Sequence, residues 1–287
     1  IEDNFFELGG HSLKTLKLVS KIQKIYDVDI SLMSVFQAPV IKELVLKVVA
    51  AKNLDAHDVD HPYIVFNEEA KKRIFCFPPA AGYSIGYREL AIILESYAMY
   101  GFHFVECDDP ISEYVKLIMQ IQSRGPYTLL GYSAGGNLAF EVARELKKHG
   151  QVVSDVIMLD SYRREEKQTL SPEEQQSQRD IYLDNEVVKK YLINERLKET
   201  FIRKMEAYTC YLSNSIDHGM VHANIHVINA ADKEKAEANH GWNNATDMKC
   251  TYFQGVGKHE QMLDGEFIKT NAGIISGILE NIFHLPT

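Results

Sequence analysis

The chain has 287 residues, 45% of them hydrophobic and 25% charged, ordinary values for a globular protein with room for one large or two modest cores. Its formal net charge of −9, from 31 basic and 40 acidic residues, and the lack of any basic stripe argue against a nucleic-acid partner. No apolar run approaches the length of a membrane span, and the opening residues Ile1-Glu-Asp-Asn-Phe-Phe are no signal peptide.

That opening is abrupt, as in a piece cut from a longer chain. Residues from Ile1 to about Ala51 read as a small helical unit. Leu13, Leu16, Val19, Ile22 and Tyr26 recur at helical spacing, and so do Val40, Ile41, Leu44, Val45, Val48 and Val49. Pro39 fits the start of that second helix, where a missing N–H costs nothing. Ser31 to Ala38 has room for a short helical turn. Ahead of the first helix stands Asp3-Asn-Phe-Phe-Glu-Leu-Gly-Gly-His-Ser12-Leu13. Ser12 can be a simple N-cap, or it can carry a phosphodiester-linked arm, which a helix N-terminus tolerates well.

The run D-N-F-F-E-L-G-G-H-S-L resembles the attachment motif of peptidyl carrier domains in nonribosomal peptide synthetases. The resemblance implies that Ser12 is the attachment site of 4′-phosphopantetheine. Carrier domains of this family are four-helix bundles, and this chain starts after the place of the first helix. The carrier, residues 1–51, is therefore expected to be incomplete. Residues 52–62 are polar, acidic and aperiodic, and read as an interdomain linker.

From Tyr63 to the end the pattern is α/β. Strands are expected at Arg73–Phe77, Ala98–Val105, Thr128–Gly131, Asp155–Leu159, Ile225–Asn229 and Thr251–Phe253. Helices are expected at Tyr87–Glu95, Ile111–Ile121, Asn137–Lys148 and roughly Gly265–Ile282. Such alternation gives a mostly parallel sheet with helices on both faces and a site at the carboxyl ends of the strands. Residues from about 163 to 219 break the alternation. They are charged and helical, with one apolar stripe at Leu183, Val187, Val188, Tyr191 and Leu192 and another at Met205, Tyr208, Cys210, Tyr211 and Leu212. The insertion starts just beyond Asp160, which favours a lid over an inert extra layer. The cysteines Cys76, Cys107, Cys210 and Cys250 are scattered without a C-x-x-C pair, so no zinc site is expected. Cys76 and Cys250 lie in apolar strands, as thiols of a reducing cytoplasm would.

The chemistry centres on Tyr127-Thr-Leu-Leu-Gly-Tyr-Ser133-Ala-Gly-Gly-Asn137. An apolar strand enters Gly131, a helix-period run leaves Gly135, and G-x-S-x-G between them is a nucleophile elbow with Ser133 at its tip. Small flanking residues are needed because the turn is sharp. A serine nucleophile needs a base and a group that orients the base, in the chain order serine, acid, histidine. Beyond Ser133, only His259 lies in a loop directly after the last strand, in Gly255-Val-Gly-Lys-His259. Two acids satisfy the order, Asp160 and Asp232, each at the end of a strand, and chemistry alone does not choose between them. An oxyanion hole needs two converging N–H donors. Ala134, directly after the serine, is one. The second is expected after Phe77-Pro78-Pro79, where the first residue with an N–H is Ala80, with Ala81 as the neighbouring alternative.

Phe77-Pro-Pro79, Gly131-Tyr-Ser-Ala-Gly-Gly136, Leu159-Asp-Ser-Tyr162 and Gly257-Lys-His259 resemble the terminal thioesterase domains of nonribosomal peptide synthetases, which have the α/β-hydrolase fold with a helical lid. The resemblance points to Asp160 as the acid and to Ala80 as the second oxyanion donor. It implies release of a carrier-bound peptide, with macrocyclisation favoured over hydrolysis. The partners it implies are a peptidyl substrate, upstream condensation and adenylation domains, a phosphopantetheinyl transferase and a separate proofreading thioesterase. Two rival readings are a proofreading thioesterase that clears mis-primed carriers and a non-catalytic carrier and docking module. The Ser12 motif argues against the first, the complete serine, acid and histidine set against the second.

Overall fold

The computed structural model describes residues 3–26, 28, 30, 32–53, 62–167, 195–231 and 241–284, with four single positions (171, 173, 176 and 180) between. Two compact units result, one formed by residues 1–64 and 170–204, the other by residues 65–169 and 205–287.

In the first unit, helices α1 (Ser12–Tyr26), α2 (Leu32–Gln37) and α3 (Ile41–Asn53) form where helices were expected, but the expected stripes are buried only in part: Leu16, Val19, Ile22 and Leu44 face inward, while Tyr26, Ile41, Val45 and Val49 are exposed. Val19, Ile22, Val28, Ile30, Val35, Ala38 and Leu44 meet in one buried cluster, with Phe5 and Phe6 packed against it. Phe6 stacks on Phe36 with ring centroids 5.0 Å apart. Gln23, buried among them, spends its amide on the carbonyl of Ile30 at 2.9 Å, which removes the cost of burying it. Pro39 does not start α3. It lies two residues ahead, where its carbonyl accepts the N–H of Phe5 at 2.8 Å, so the segment before α1 is tied to the segment before α3.

The second unit holds most of a seven-stranded sheet in the order β1-β3-β2-β4-β5-β6-β7. The strands are β1 (Tyr63–Phe66), β2 (Lys72–Phe77), β3 (Tyr97–Phe102), β4 (Tyr127–Tyr132), β5 (Val153–Leu159), β6 (Asn224–Asn229) and β7 (Cys250–Gln254). The pairings from β3 through β2, β4, β5 and β6 to β7 are all parallel. The helices are α4 (Arg88–Ile93), α5 (Pro110–Ile121), α6 (Ala134–Lys148), α7 (Glu195–Asn214, running on from the first unit) and α8 (Phe267–His284). Because side chains alternate along a strand, β2 serves two cores. Ile74 and Cys76 join Leu90 of α4 and Ile275 and Leu279 of α8. Phe77 turns the other way, edge-on to Tyr114 of α5 at 5.4 Å. α5 starts on a firm cap, with Asp109 accepting the N–H of Ser112 at 3.1 Å and Pro110 in the first turn.

β2 pairs with β3 on one side and β4 on the other. Chain direction across the sheet therefore reverses at β2, and the loops after β2 and β4 diverge there. Open parallel sheets place their ligand crevice at such a point. Among the described residues no helix is long and apolar enough to cross a membrane, and no cluster of three or more metal-binding side chains occurs. Cys76 is fully buried, Cys250 is half-buried, and all four cysteines are free thiols.

The middle of the insertion, with its Leu183–Leu192 stripe, lies outside the described residues, as do most of the linker and Asp232. In the second unit's part of α7, Met205 and Tyr208 are buried. Cys210, expected on the same stripe, is exposed, because one helical face takes positions three and four apart and not two apart.

Candidate active site

β4 delivers the elbow. Ser133 takes φ 56° and ψ −126°, a backbone conformation that costs an L-residue about 1–3 kcal/mol and persists only where the surroundings enforce it. They do so from both sides. The N–H of Ser133 donates to the carbonyl of Leu159 at 2.8 Å, and its own carbonyl accepts the N–H of Gly136 at 3.0 Å and the hydroxyl of Ser161 at 2.7 Å. The three glycines are explained by close approach. A Cβ on Gly131 would strike the backbone of Gly135, one on Gly135 the carbonyl of Phe77, and one on Gly136 the side chain of Ser161. α6 starts at Ala134, three residues before the expected Asn137, because Gly135 and Gly136 belong to the helix's first turn.

His259 and Asp160 come to the same point. His259 Nε2 lies 3.0 Å from Ser133 Oγ, and His259 Nδ1 lies 2.6 Å from Asp160 Oδ2. Asp160, at φ 45° and fully buried, accepts the N–H of Ala230 on its other oxygen at 3.0 Å. A carboxylate only accepts, so the proton between Nδ1 and Asp160 belongs to the imidazole. Nε2 is then left with a lone pair toward the serine hydroxyl.

Four further residues hold this arrangement, and the sequence reading missed them. Tyr132, the variable residue before the nucleophile, donates its hydroxyl to the carbonyl of His259 and sets its ring 5.5 Å from the imidazole. Asn271, buried in α8, fixes the His259 loop through three bonds: it accepts from the N–H of Val256 at 2.9 Å, and donates to the carbonyls of Val256 at 2.9 Å and Met262 at 2.8 Å. Tyr87 and Tyr208 donate to the carbonyls of Phe77 at 2.6 Å and Pro78 at 3.1 Å. Only Tyr132 carried a sequence signal, its place inside the motif. Tyrosines in apolar runs otherwise read as core.

The expected oxyanion donors lie on the two loops that diverge at β2. Ala134 opens α6, where the helix dipole is positive. Ala80 opens the turn closed by the N–H of Gly82 on the carbonyl of Pro79 at 2.8 Å. Among the described residues no backbone carbonyl takes the N–H of Ala80 or of Ala134.

Beside the elbow, the two ends of the insertion are locked to α6. Arg164 Nη2 reaches Glu141 Oε1 at 2.6 Å and Asp217 Oδ1 at 2.8 Å. Asp217 also accepts from Asn137 at 2.7 Å, and Glu141 from the hydroxyl of Tyr211 at 2.7 Å. Burial pushes the Glu141 carboxyl above its ordinary range, opposed by the charge of Arg164. Burial is the largest influence on the Arg164 guanidinium and works against its charge, but its bonds and charge pairing with Asp217 and Glu141 together outweigh burial and raise it.

In the first unit, Ser12 is the first residue of α1. The chain reaches it through a tight turn, in which the N–H of Gly10 donates to the carbonyl of Phe5 at 2.8 Å. Gly9 sits at φ 80°, and a Cβ on Gly10 would collide with Phe5. The helix's first inward bond is from the N–H of Thr15 to the carbonyl of His11 at 2.9 Å. The amides ahead of it stand at the positive helix end, a setting that fits the phosphate of an attached arm.

Comparison with known proteins gives the families of the two parts of the chain. The family model described as "Thioesterase domain" matches residues 72–274, and that described as "Phosphopantetheine attachment site" matches residues 1–48, which gives 4′-phosphopantetheine as the group covalently carried there. Tyrocidine synthase 3 of Brevibacillus parabrevis is 35% identical over 304 residues, covering 99% of this chain and 5% of the relative. Surfactin synthase subunit 3 of Bacillus subtilis (strain 168) is 34% identical over 276 residues, covering 96% of this chain and 21% of the relative. The chain thus spans a small part of these relatives. The solved thioesterase domain SrfTE, described as the structural basis for cyclization of the lipopeptide antibiotic surfactin, superposes with a TM-score of 0.70 at 33% identity, covering 79% of this chain and 97% of that one. The chain belongs to the thioesterase domain family, and with a phosphopantetheine-attachment domain ahead of that domain it is a carrier–thioesterase pair of the nonribosomal peptide synthetase kind.

Proposed function

We propose that this chain releases a peptide held on its own carrier, with Ser12 as the attachment site and Ser133, His259 and Asp160 as the catalytic triad. The carrier is assigned to residues 1–51, the linker to 52–62 and the thioesterase to 63–287, with its lid at about 163–219. The observation that carries the reading is the continuous hydrogen-bonded line from Ser133 Oγ through His259 to buried Asp160, in a chain that also has an attachment domain.

When attached, phosphopantetheine supplies the thiol that holds the peptide as a thioester. His259 Nε2 removes the proton of Ser133 as Oγ attacks the thioester carbonyl. Asp160 stabilises the imidazolium that forms. The N–H groups of Ala134 and Ala80 take the negative charge on the carbonyl oxygen, an interaction worth about 3–4 kcal/mol per donor in comparable sites. Collapse of the tetrahedral adduct breaks the C–S bond, His259 returns its proton to the leaving sulfur, and the peptide remains as an ester on Ser133. His259 then activates the second nucleophile. Water gives a linear acid, and an amine or hydroxyl of the peptide gives a ring.

Ring closure is the preferred outcome. It is supported by the 33% identity and 97% coverage of a thioesterase domain described by the cyclisation it performs. The lid and the buried lock at its root favour exclusion of water. In the full synthetase, condensation and adenylation domains upstream supply the peptide, a phosphopantetheinyl transferase primes Ser12, and a separate thioesterase clears mis-primed carriers. The test is mass spectrometry of the product from a synthetic peptidyl thioester that carries an internal amine. A product lighter than the linear acid by one water supports ring closure, and the linear acid alone would overturn it in favour of hydrolysis.

A further inference from the structure

The loop after β2 has an unusual anchoring problem. Pro78 and Pro79 have no N–H, so at these two positions the backbone can be held only through its carbonyls. All three preceding Ala80 are held. The carbonyl of Pro79 accepts from Gly82 within the turn, at 2.8 Å. The carbonyls of Phe77 and Pro78 are held by tyrosine hydroxyls from two different elements, Tyr87 just ahead of α4 and Tyr208 on α7.

Tyr87 does more than satisfy one carbonyl. Phe77 of β2 pairs with Gly131 of β4 at the end of their register. Beyond that pair the strands part. The hydroxyl of Tyr87 sits in the gap, donating to Phe77 O at 2.6 Å and accepting the N–H of Tyr132 at 2.8 Å. One oxygen thereby spans the loop after β2 and the residue before Ser133. Tyr208 holds the next carbonyl, and its ring stacks on Phe104 at 4.4 Å. Phe104 in turn donates its N–H to the carbonyl of Gly82 at 2.8 Å, the far end of the same loop. Tyr87 is 1% exposed and Tyr208 0%, so no water can take over either bond. Burial pushes both phenols well above the ordinary tyrosine range, which keeps them protonated donors at neutral pH.

We propose that Tyr87 and Tyr208 are positioning residues for the oxyanion hole: their hydroxyls fix the peptide planes of Phe77 and Pro78 and so aim the Ala80 N–H at the carbonyl attacked by Ser133. Neither touches substrate. The inference rests on the reading of Ser133 as nucleophile and of Ala80 as oxyanion donor.

Tyr87→Phe and Tyr208→Phe keep each ring and delete only the hydroxyl. In the full chain, hydrolysis of butyryl-N-acetylcysteamine would be measured beside inhibition by butylboronic acid, whose serine adduct copies the tetrahedral charge. Each variant should lose about tenfold to a hundredfold in kcat with KM near wild type, less than deletion of a donor outright. Inhibition by the boronate should weaken by the same factor as kcat/KM. A merely structural role would lower thermal stability without moving that inhibition constant, and this result, or unchanged kinetics in both variants, overturns the proposal. If Tyr87→Phe does not fold, Tyr208→Phe alone decides. Ser133→Ala is run in parallel. Turnover surviving in it would show that the nucleophile reading has failed, whereas a dead Ser133→Ala beside fully active tyrosine variants would sink the positioning role alone.

Discussion

Ser133 is held in a strained conformation by the backbones of Leu159 and Gly136 and the hydroxyl of Ser161, and the imidazole that faces it is held by a carboxylate engaged on both oxygens. Asp160 is buried, with one oxygen on Ala230 and the other on His259. Replacing it by Asn would offer an amide N–H or a carbonyl where only an acceptor of Nδ1–H serves, and would favour the wrong tautomer. Asp160→Asn should therefore lower kcat by about a thousandfold to ten-thousandfold, with Asp232→Asn close to wild type. A steady-state assay on a soluble thioester checks the ranking, and the reverse order would move the acid. At this scale the sequence was informative where chemistry is local. G-x-S-x-G reports the sterics of one turn, and His259 stood out by its place after the last strand. Asp160 and Asp232 could not be separated, because the contact that distinguishes Asp160 joins residues 99 positions apart. The tyrosines were invisible for a related reason: the partners of their hydroxyls are backbone carbonyls, which leave no mark on side-chain patterns.

Among elements, the elbow helix α6 joins the nucleophile to the insertion. It carries Ser133 at its N-cap and, one to two turns on, Asn137 and Glu141, which receive the two ends of the insertion through Asp217 and Arg164. The helix's early start was misread because Gly135 and Gly136 look like turn residues. The reason they are glycines is close packing against Phe77 and Ser161, which only the assembled sheet reveals. The Arg164 lock is nearly dry, so removing the cation leaves two acids buried together. Arg164→Met should destabilise the fold by about 3–5 kcal/mol, read as a fall in the denaturant midpoint. Glu141 gives a second handle. Its carboxyl is raised above the ordinary 4.5 in the folded state, so the native protein binds more protons than the unfolded chain above that pH. Stability should then fall as pH rises from about 4.5 through the raised value and level off beyond it. Glu141→Gln should lack this component, and the difference between the two stability–pH curves measures it. A difference that grows in the opposite direction would mean that the Arg164 charge, and not burial, governs the group.

At the scale of the molecule, two domain families lie in one chain, and each narrows the meaning of the other. The fold of the larger was readable from the alternation of strands and helices, with the exception of β1. The packing of the smaller was legible only in part: Val19, Ile22 and Leu44 were read from helical spacing, whereas Val28, Ile30 and Val35 join them from between the two predicted runs, and Ile41, Val45 and Val49 stay exposed. Ser12→Ala should abolish the mass added by a phosphopantetheinyl transferase while leaving hydrolysis of a soluble thioester intact. Loss of both would mean that the substitution disturbs more than attachment. In the proposed function the acyl group passes from the arm on Ser12 to Ser133 within this chain. This transfer is tested most directly by loading the carrier with a peptidyl-phosphopantetheine and following the acyl mass by proteolysis and mass spectrometry. The mass should leave the Ser12 fragment and appear on the Ser133 fragment before product is released, and in Ser133→Ala it should stay on the Ser12 fragment. Release from Ser133→Ala at the wild-type rate would contradict this transfer.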